Sequence, residues 1–113
     1  MTNRLYSLNK DKDFAQVFKA GRSSYSRLLG VKTLPNGLVI SRFGIIVSAK
    51  ISKKAVVRNK IKRQIREIIR LDLENIKSGQ DVAIVVLSPI IEEKYQEIKK
   101  ELSQNFKRLR LYK

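Results

Sequence analysis

Cysteine and histidine are both missing from this chain. Without cysteine there is no disulfide and no thiolate metal site. Without histidine the commonest general base and metal ligand is gone. Tryptophan is absent too, which weakens any case for membrane association. Met1-Thr2-Asn3-Arg4 is not followed by an apolar run long enough for a signal peptide or a membrane span, so a cytoplasmic protein is expected. Acid is scarce, with 10 Asp and Glu against 25 Lys and Arg. These acids fall at helix starts, exposed helical positions or turns, and no two form a recognisable catalytic pair. The few glycines are scattered rather than gathered into a phosphate-cradling loop. A two-metal nuclease needs several clustered carboxylates. The expectation is no active site and no metal ion held by this chain alone.

What remains is a basic domain. With 113 residues, 42% of them hydrophobic, residues 1–113 form one domain with a real core. The net charge of +15 costs the compact state self-repulsion and calls for a polyanionic partner. The charge lies mid-chain rather than in a tail. From Val56 to Arg66 a helical reading puts Val57, Ile61, Ile65, Ile68, Ile69, Leu73 and Ile76 on one apolar stripe. Arg58, Lys62, Arg66 and Arg70 recur every fourth residue, with Asn59 and Arg63 beside them. Like charges at that spacing each cost a few tenths of a kcal/mol, and only Glu67 relieves them. A row this pure points to RNA.

The rest of the chain supplies a frame. Residues 1–8 read as a short basic arm, loose until bound. Asn9 or Ser7 is a candidate cap for a helix from Lys10 to Ala20, stopped by Gly21, with Asp11 and Asp13 in its first turn and Phe14, Val17 and Phe18 on its apolar face. Gly21–Ser26 reads as a loop, Arg27–Leu34 as a strand, Pro35-Asn36-Gly37 as a turn, and Leu38–Ser48 as a second extended run. Along that run Phe43, Ile45 and Val47 alternate with Arg42, Gly44, Ile46 and Ser48, so the second set lines either an open groove or a solvated face. Ser52 is a candidate cap for the basic helix, expected over Lys53–Ile76 and ended by Lys77-Ser78-Gly79. Val82–Leu87 is short, apolar and β-branched, which predicts a central strand buried on both faces. Ile91–Arg108 predicts a core-facing amphipathic helix with a basic tail. The order is that of a small α+β sandwich.

Arginine forks suit phosphates, and Asn59 suits a base edge. Phe14 and Phe18 are either ordinary core or stacking platforms, worth roughly 1–3 kcal/mol per base under a single strand. A protein that only buttresses folded RNA would share much of this pattern. A DNA regulator fits less well, because a helix-turn-helix needs a preceding helix and here a strand precedes.

The run Arg58-Asn59-Lys60-Ile61-Lys62-Arg63, between Lys54-Ala55-Val56-Val57 and Ile65-Arg66, resembles the signature of the bacterial ribonuclease P protein subunit. Asp13-Phe14-Ala15-Gln16-Val17-Phe18-Lys19-Ala20-Gly21 resembles that family's aromatic first helix, and Phe43-Gly44-Ile45-Ile46-Val47-Ser48 also fits. The resemblance implies the order α-β-β-β-α-β-α with a βαβ crossover of the rare left hand. It implies a role in removing 5′ leaders from precursor tRNA, as one protein per RNA, with the RNA subunit hydrolysing through bound Mg2+ and the protein holding no cofactor of its own. By position, Phe14 and Phe18 would border the leader cleft, Gly44, Ile46 and Ser48 would floor it, and Arg58, Asn59 and Arg66 would line its edge. Lys53, Lys54, Arg58, Lys60, Lys62, Arg63, Arg66 and Arg70 would meet the catalytic RNA. Lys60 stands where many members have a third arginine, and Lys32 where some have an aromatic. The connection Ala49–Lys54 is one residue longer than in some relatives.

Overall fold

The computed structural model describes residues 5–113; residues 1–4 lie outside it, so the expected N-terminal arm is seen only from Leu5 onward. Its elements are β1 (Tyr6–Ser7), α1 (Asp11–Ala20), β2 (Arg22–Tyr25), β3 (Leu29–Pro35), β4 (Arg42–Ile46), α2 (Ala55–Leu71), β5 (Gln80–Val86) and α3 (Tyr95–Arg108). After the short β1 this is the expected α-β-β-β-α-β-α order. The five strands form one sheet in the order β1-β4-β5-β3-β2, with β1–β4 and β4–β5 parallel and the other pairs antiparallel.

β5 is central, as its unbroken apolar run predicted. Its Val82, Ile84 and Val86 face one core and Ala83 the other, all 4% exposed or less. α2 and α3 cover the first face. There Ile61, Ile65, Ile68 and Ile69 of α2 meet Phe43, Val82 and Ile84 beneath them and Leu102 and Phe106 of α3 beside them. Burying one such aliphatic contributes about 1.5–3 kcal/mol, an upper figure for a less-than-extended unfolded chain. Among the described residues α1 covers the opposite face, with Val17 and Phe14 packed with Leu8, Leu34 and Ala83.

Several boundaries differ from the sequence reading. The expected loop Gly21–Ser26 contains β2, because backbone pairing of Arg22–Tyr25 with Thr33–Gly30 replaces hydrophobic alternation as its anchor. Ser24 Oγ donates to Asn105 Oδ1 at 2.6 Å and Ser26 Oγ to Glu101 Oε1 at 2.6 Å, tying it beneath α3. The run from Leu38 becomes a strand only at Arg42, because Asn36 widens the turn: its side-chain amide donates to the Ile40 carbonyl at 3.1 Å. α2 stops at Leu71 rather than Ile76. Leu73–Asn75 is a 3-10 turn, and Asn75 to Lys77 is drawn into pairing with the C-terminus, where Lys77 N donates to Leu111 O at 2.7 Å. α3 begins at Tyr95 rather than Ile91, because Ser88–Glu92 forms a 3-10 turn with Ile90 buried beneath it. None of the three expected caps is used in that role. Lys10 and Lys54 occupy the N-cap positions with no side-chain bond, and the Ser52 hydroxyl accepts from the Lys54 N–H at 3.2 Å, ahead of the helix.

Candidate nucleic-acid interface

The face under α1 is read from strand register. Three rows cross it: Arg42, Asp81 and Leu34; then Gly44, Ala83, Lys32 and Ser23; then Ile46, Val85, Gly30 and Tyr25. α1 roofs the first two. Arg42 is gripped there by Asp81, with Nε–Oδ1 2.8 Å and Nη2–Oδ2 2.6 Å, and lies 3.4 Å from Asp13 of α1. Hydrogen bonding to Asp81 raises the Arg42 pKa above its ordinary value. Phe14 lies directly on Gly44, where a Cβ would stand 2.6 Å from Phe14 Cε1 and 2.7 Å from the Leu8 carbonyl oxygen.

The third row is left open among the described residues. Ile46 and Val85 are half-buried, and the Tyr25 ring lies over Gly30, where a Cβ would meet Cζ at 2.7 Å. Phe18 and Tyr25 are 39% and 49% exposed. Lys32 sits between them with Nζ 5.6 Å from one ring centroid and 5.8 Å from the other. Cation–π attraction to two faces fixes this ammonium. No ion pair is made by it among the described residues. The result is a trough with an apolar floor, aromatic walls and a lysine held ready for an acceptor.

The expected floor residues therefore separate. Ile46 lies in the open row, Gly44 lies beneath Phe14 and lets that ring come down, and Ser48 lies beyond the strand, exposed. Phe14 is half-buried and partly core, whereas Phe18 is exposed wall. Tyr25 was not singled out from the sequence. It falls in the segment read as loop, and only the register with Gly30 reveals it.

β4 and β5 both finish at the open end, so the connection that leaves it from Val47 carries Lys50, Lys53 and Lys54 to the start of α2. No acid occupies the first turn of α2, so its positive dipole end stands beside those lysines. Arg58 donates through Nη1 to the Ser52 carbonyl at 2.8 Å, which holds this connection against the helix. The basic residues divide between two flanks of α2. Arg58, Lys62 and Arg66 form the flank away from α3, with Asn59 exposed next to Arg58. Lys60 and Arg63 line a shallow depression with Gln64, Glu67 and Tyr95 on the α3 side. Arg70 is taken up by Glu67 through contacts of 2.7 and 3.2 Å. That hydrogen bonding holds the Glu67 carboxyl below its usual range and raises Arg70. The other seven predicted basic residues make no ion pair among the described residues. Nor, among those residues, do three acids come together as a metal cage, and no helix is long and apolar enough to cross a membrane.

Comparison with known proteins identifies the architecture. The family model described as Ribonuclease P matches residues 2–110. A ribonuclease P protein component from Caldanaerobacter subterraneus is 35% identical over 112 residues, covering 99% of this chain and 96% of that protein. Another, from Synechocystis, is 45% identical over 96 residues, covering 84% and 77%. The solved ribonuclease P protein of Staphylococcus aureus superposes with a TM-score of 0.88 at 31% identity, over 97% of this chain and 100% of that one. That of Thermotoga maritima gives 0.79 at 31% identity, over 87% and 92%. A mirror-image crossing would not superpose at such scores, so β4-α2-β5 has the hand of those structures.

Proposed function

This chain belongs to the ribonuclease P protein family, and from that premise we propose how its surface divides the work. It is a protein subunit of ribonuclease P, the RNA-dependent enzyme of tRNA 5′ maturation, and its partner is RNA within a ribonucleoprotein. In our reading the open trough receives the single-stranded 5′ leader of precursor tRNA. Phe14 and Phe18 stack against bases, Ile46 floors the strand, Gly44 seats Phe14, and Ser48, Arg58, Asn59 and Arg66 meet it where it leaves toward α2. Lys53, Lys54, Lys60, Lys62, Arg63 and Arg70, with Arg58 and Arg66 shared, engage the phosphates of the catalytic RNA. Arg70 must share its guanidinium with Glu67 to do so. The RNA holds Mg2+ and performs the hydrolysis, one protein serves one RNA, and the assembly is cytoplasmic.

One observation carries this reading: the row of the α1 face left uncovered among the described residues ends where the cations of the β4–α2 connection, unpaired among those residues, begin. The test is reconstitution with a bacterial ribonuclease P RNA at low Mg2+. The protein should raise cleavage of precursor tRNA and favour precursor over mature tRNA in binding. Phe14→Ala with Phe18→Ala, checked for folding, should remove that preference. Stimulation with unchanged preference would reduce the protein to a buttress of folded RNA.

A further inference from the structure

One cationic surface has no part in the trough or in α2: the pole where α3 ends against the start of β2. Lys107, Arg108 and Arg110 are exposed there. Arg22, also exposed, donates from Nη2 to the Leu109 carbonyl at 2.8 Å and so joins them. None of the four makes an ion pair among the described residues, and no Asp or Glu occurs from Leu102 to Lys113. The helix dipole favours cations in a last turn, which accounts for Lys107 and Arg108.

It does not account for Arg110. That residue has φ 56. Its N–H donates to the Lys107 carbonyl at 3.0 Å while Leu111 N–H donates to Phe106 O at 3.0 Å. This pair of bonds closes a helix through a left-handed residue that is usually glycine, because a Cβ is disfavoured there. A better helix stop has been forgone for a guanidinium outside the helix, and strain of that kind collects at binding sites.

The pole is also separate from the trough. β2 begins opposite Thr33, near the end of the sheet where Pro35 meets Gln80, whereas the trough lies where Gly30 meets Val85. Along β3 the two are only about 10 Å apart, three residues at roughly 3.3 Å each, but they lie on opposite faces of the sheet, since Arg22 shares its row with Thr33 and Val82.

We propose that this pole is a second RNA contact, gripping the phosphate backbone of the ribonucleoprotein's RNA on the other face of the sheet from the trough. Arg22, Arg108 and Arg110 supply planar forks for phosphate oxygens, and Lys107 adds point charge. The proposal requires an RNA partner but not the assignment of the trough to the leader.

Full-length Arg110→Gly and Arg110→Lys proteins, and a Lys107→Ala/Arg108→Ala protein, test it against a bacterial ribonuclease P RNA, precursor tRNA and mature tRNA. Arg110→Gly should melt higher than the parent, yet its log affinity for the ribonuclease P RNA should fall less steeply with log salt, by roughly 0.7–0.9 for one lost phosphate contact. Arg110→Lys should keep the parent slope, and the double substitution should lose about twice the single decrement. The ratio of precursor to mature binding should stay at the parent value throughout. A higher melting temperature with an unaltered slope would leave an ordinary helix terminus and end the proposal. A collapse of the precursor preference in Arg110→Gly would merge the pole with the trough and end it equally. Failure of the leader assignment shows instead as no precursor preference in the parent protein.

Discussion

Gly44→Ala puts the seating of α1 under direct test. The added Cβ would stand 2.6 Å from Phe14 Cε1 and 2.7 Å from the Leu8 carbonyl oxygen. The ring is the tip of a side chain and can swing. The carbonyl cannot move cheaply, since the same residue's N–H donates to Phe43 O at 3.0 Å and its side chain is 3% exposed. Overpacking of a fitted core costs about 1–3 kcal/mol. In a domain of this size each kcal/mol shifts the midpoint by about 4 °C, so melting should fall by about 4–12 °C. The lifted ring should also intrude on the row Ile46, Val85 and Gly30, lowering the preference for precursor over mature tRNA. Combining Gly44→Ala with Phe14→Leu should recover part of the stability and not all, because the clash with the carbonyl remains. Thermal denaturation by circular dichroism and competitive tRNA binding are the assays. A Gly44→Ala protein with parental melting and parental preference would mean that α1 does not sit on β4 as described.

Arg58→Ala should reduce the slope of log affinity against log salt by up to one unit. It should also cost about 1 kcal/mol of stability, because the Ser52 carbonyl loses its 2.8 Å donor; a parental slope in a folded variant would remove Arg58 from the interface. Burial raises the Tyr112 hydroxyl from 10.0 to about 12, a rise that its bond with Ser103 partly opposes and Asp72 reinforces. Between those values the folded chain keeps a proton that the unfolded chain releases, so stability should be unaffected below pH 10 and fall as pH rises toward 12. Tyr112→Phe should flatten that alkaline decline, and denaturant midpoints measured across the window would refute the assignment if parent and variant fall in parallel.

Legibility from sequence followed the anchoring of each element. α2 carries its own signature: Ile61, Ile65, Ile68 and Ile69 recur at helical spacing and are all buried. β5 likewise announced a central position by having no polar alternation. β2 could not be read, since Arg22-Ser23-Ser24-Tyr25 has no apolar face and owes its strand to β3 and to Asn105 of α3, 81 residues on from Ser24. The end of α2 depends in the same way on Leu111, and the start of α3 on the burial of Ile90. Such long-range partners leave no local trace. At the trough the same limit applied. Phe14 and Phe18 stood out by their spacing, whereas Tyr25 and Lys32 belong to it only through cross-strand register. Lys32, which stands where some members of the family have an aromatic, is in the structure a cation clasped by two rings.

α2 shows why so much unpaired charge can be tolerated. Its N-cap makes no side-chain bond, its first turn has no acid, and lysines stand at its positive end. Arg58, Lys62 and Arg66 repel one another at the spacing where an opposite charge would help. Along this half of the helix the local rules are broken in one direction, at a few tenths of a kcal/mol per like-charged pair. Each isoleucine on the inner face returns several times that, up to about 3 kcal/mol. The helix is therefore held by the sheet beneath it rather than by its own surface, and that surface is left free for an anionic partner. Arg110 follows the same logic at the opposite pole, where Leu109 and Leu111, 4% and 1% exposed, anchor the chain on either side of a strained residue. In both places buried aliphatic packing fixes the backbone firmly enough for an exposed cation to occupy a position that local energetics disfavours.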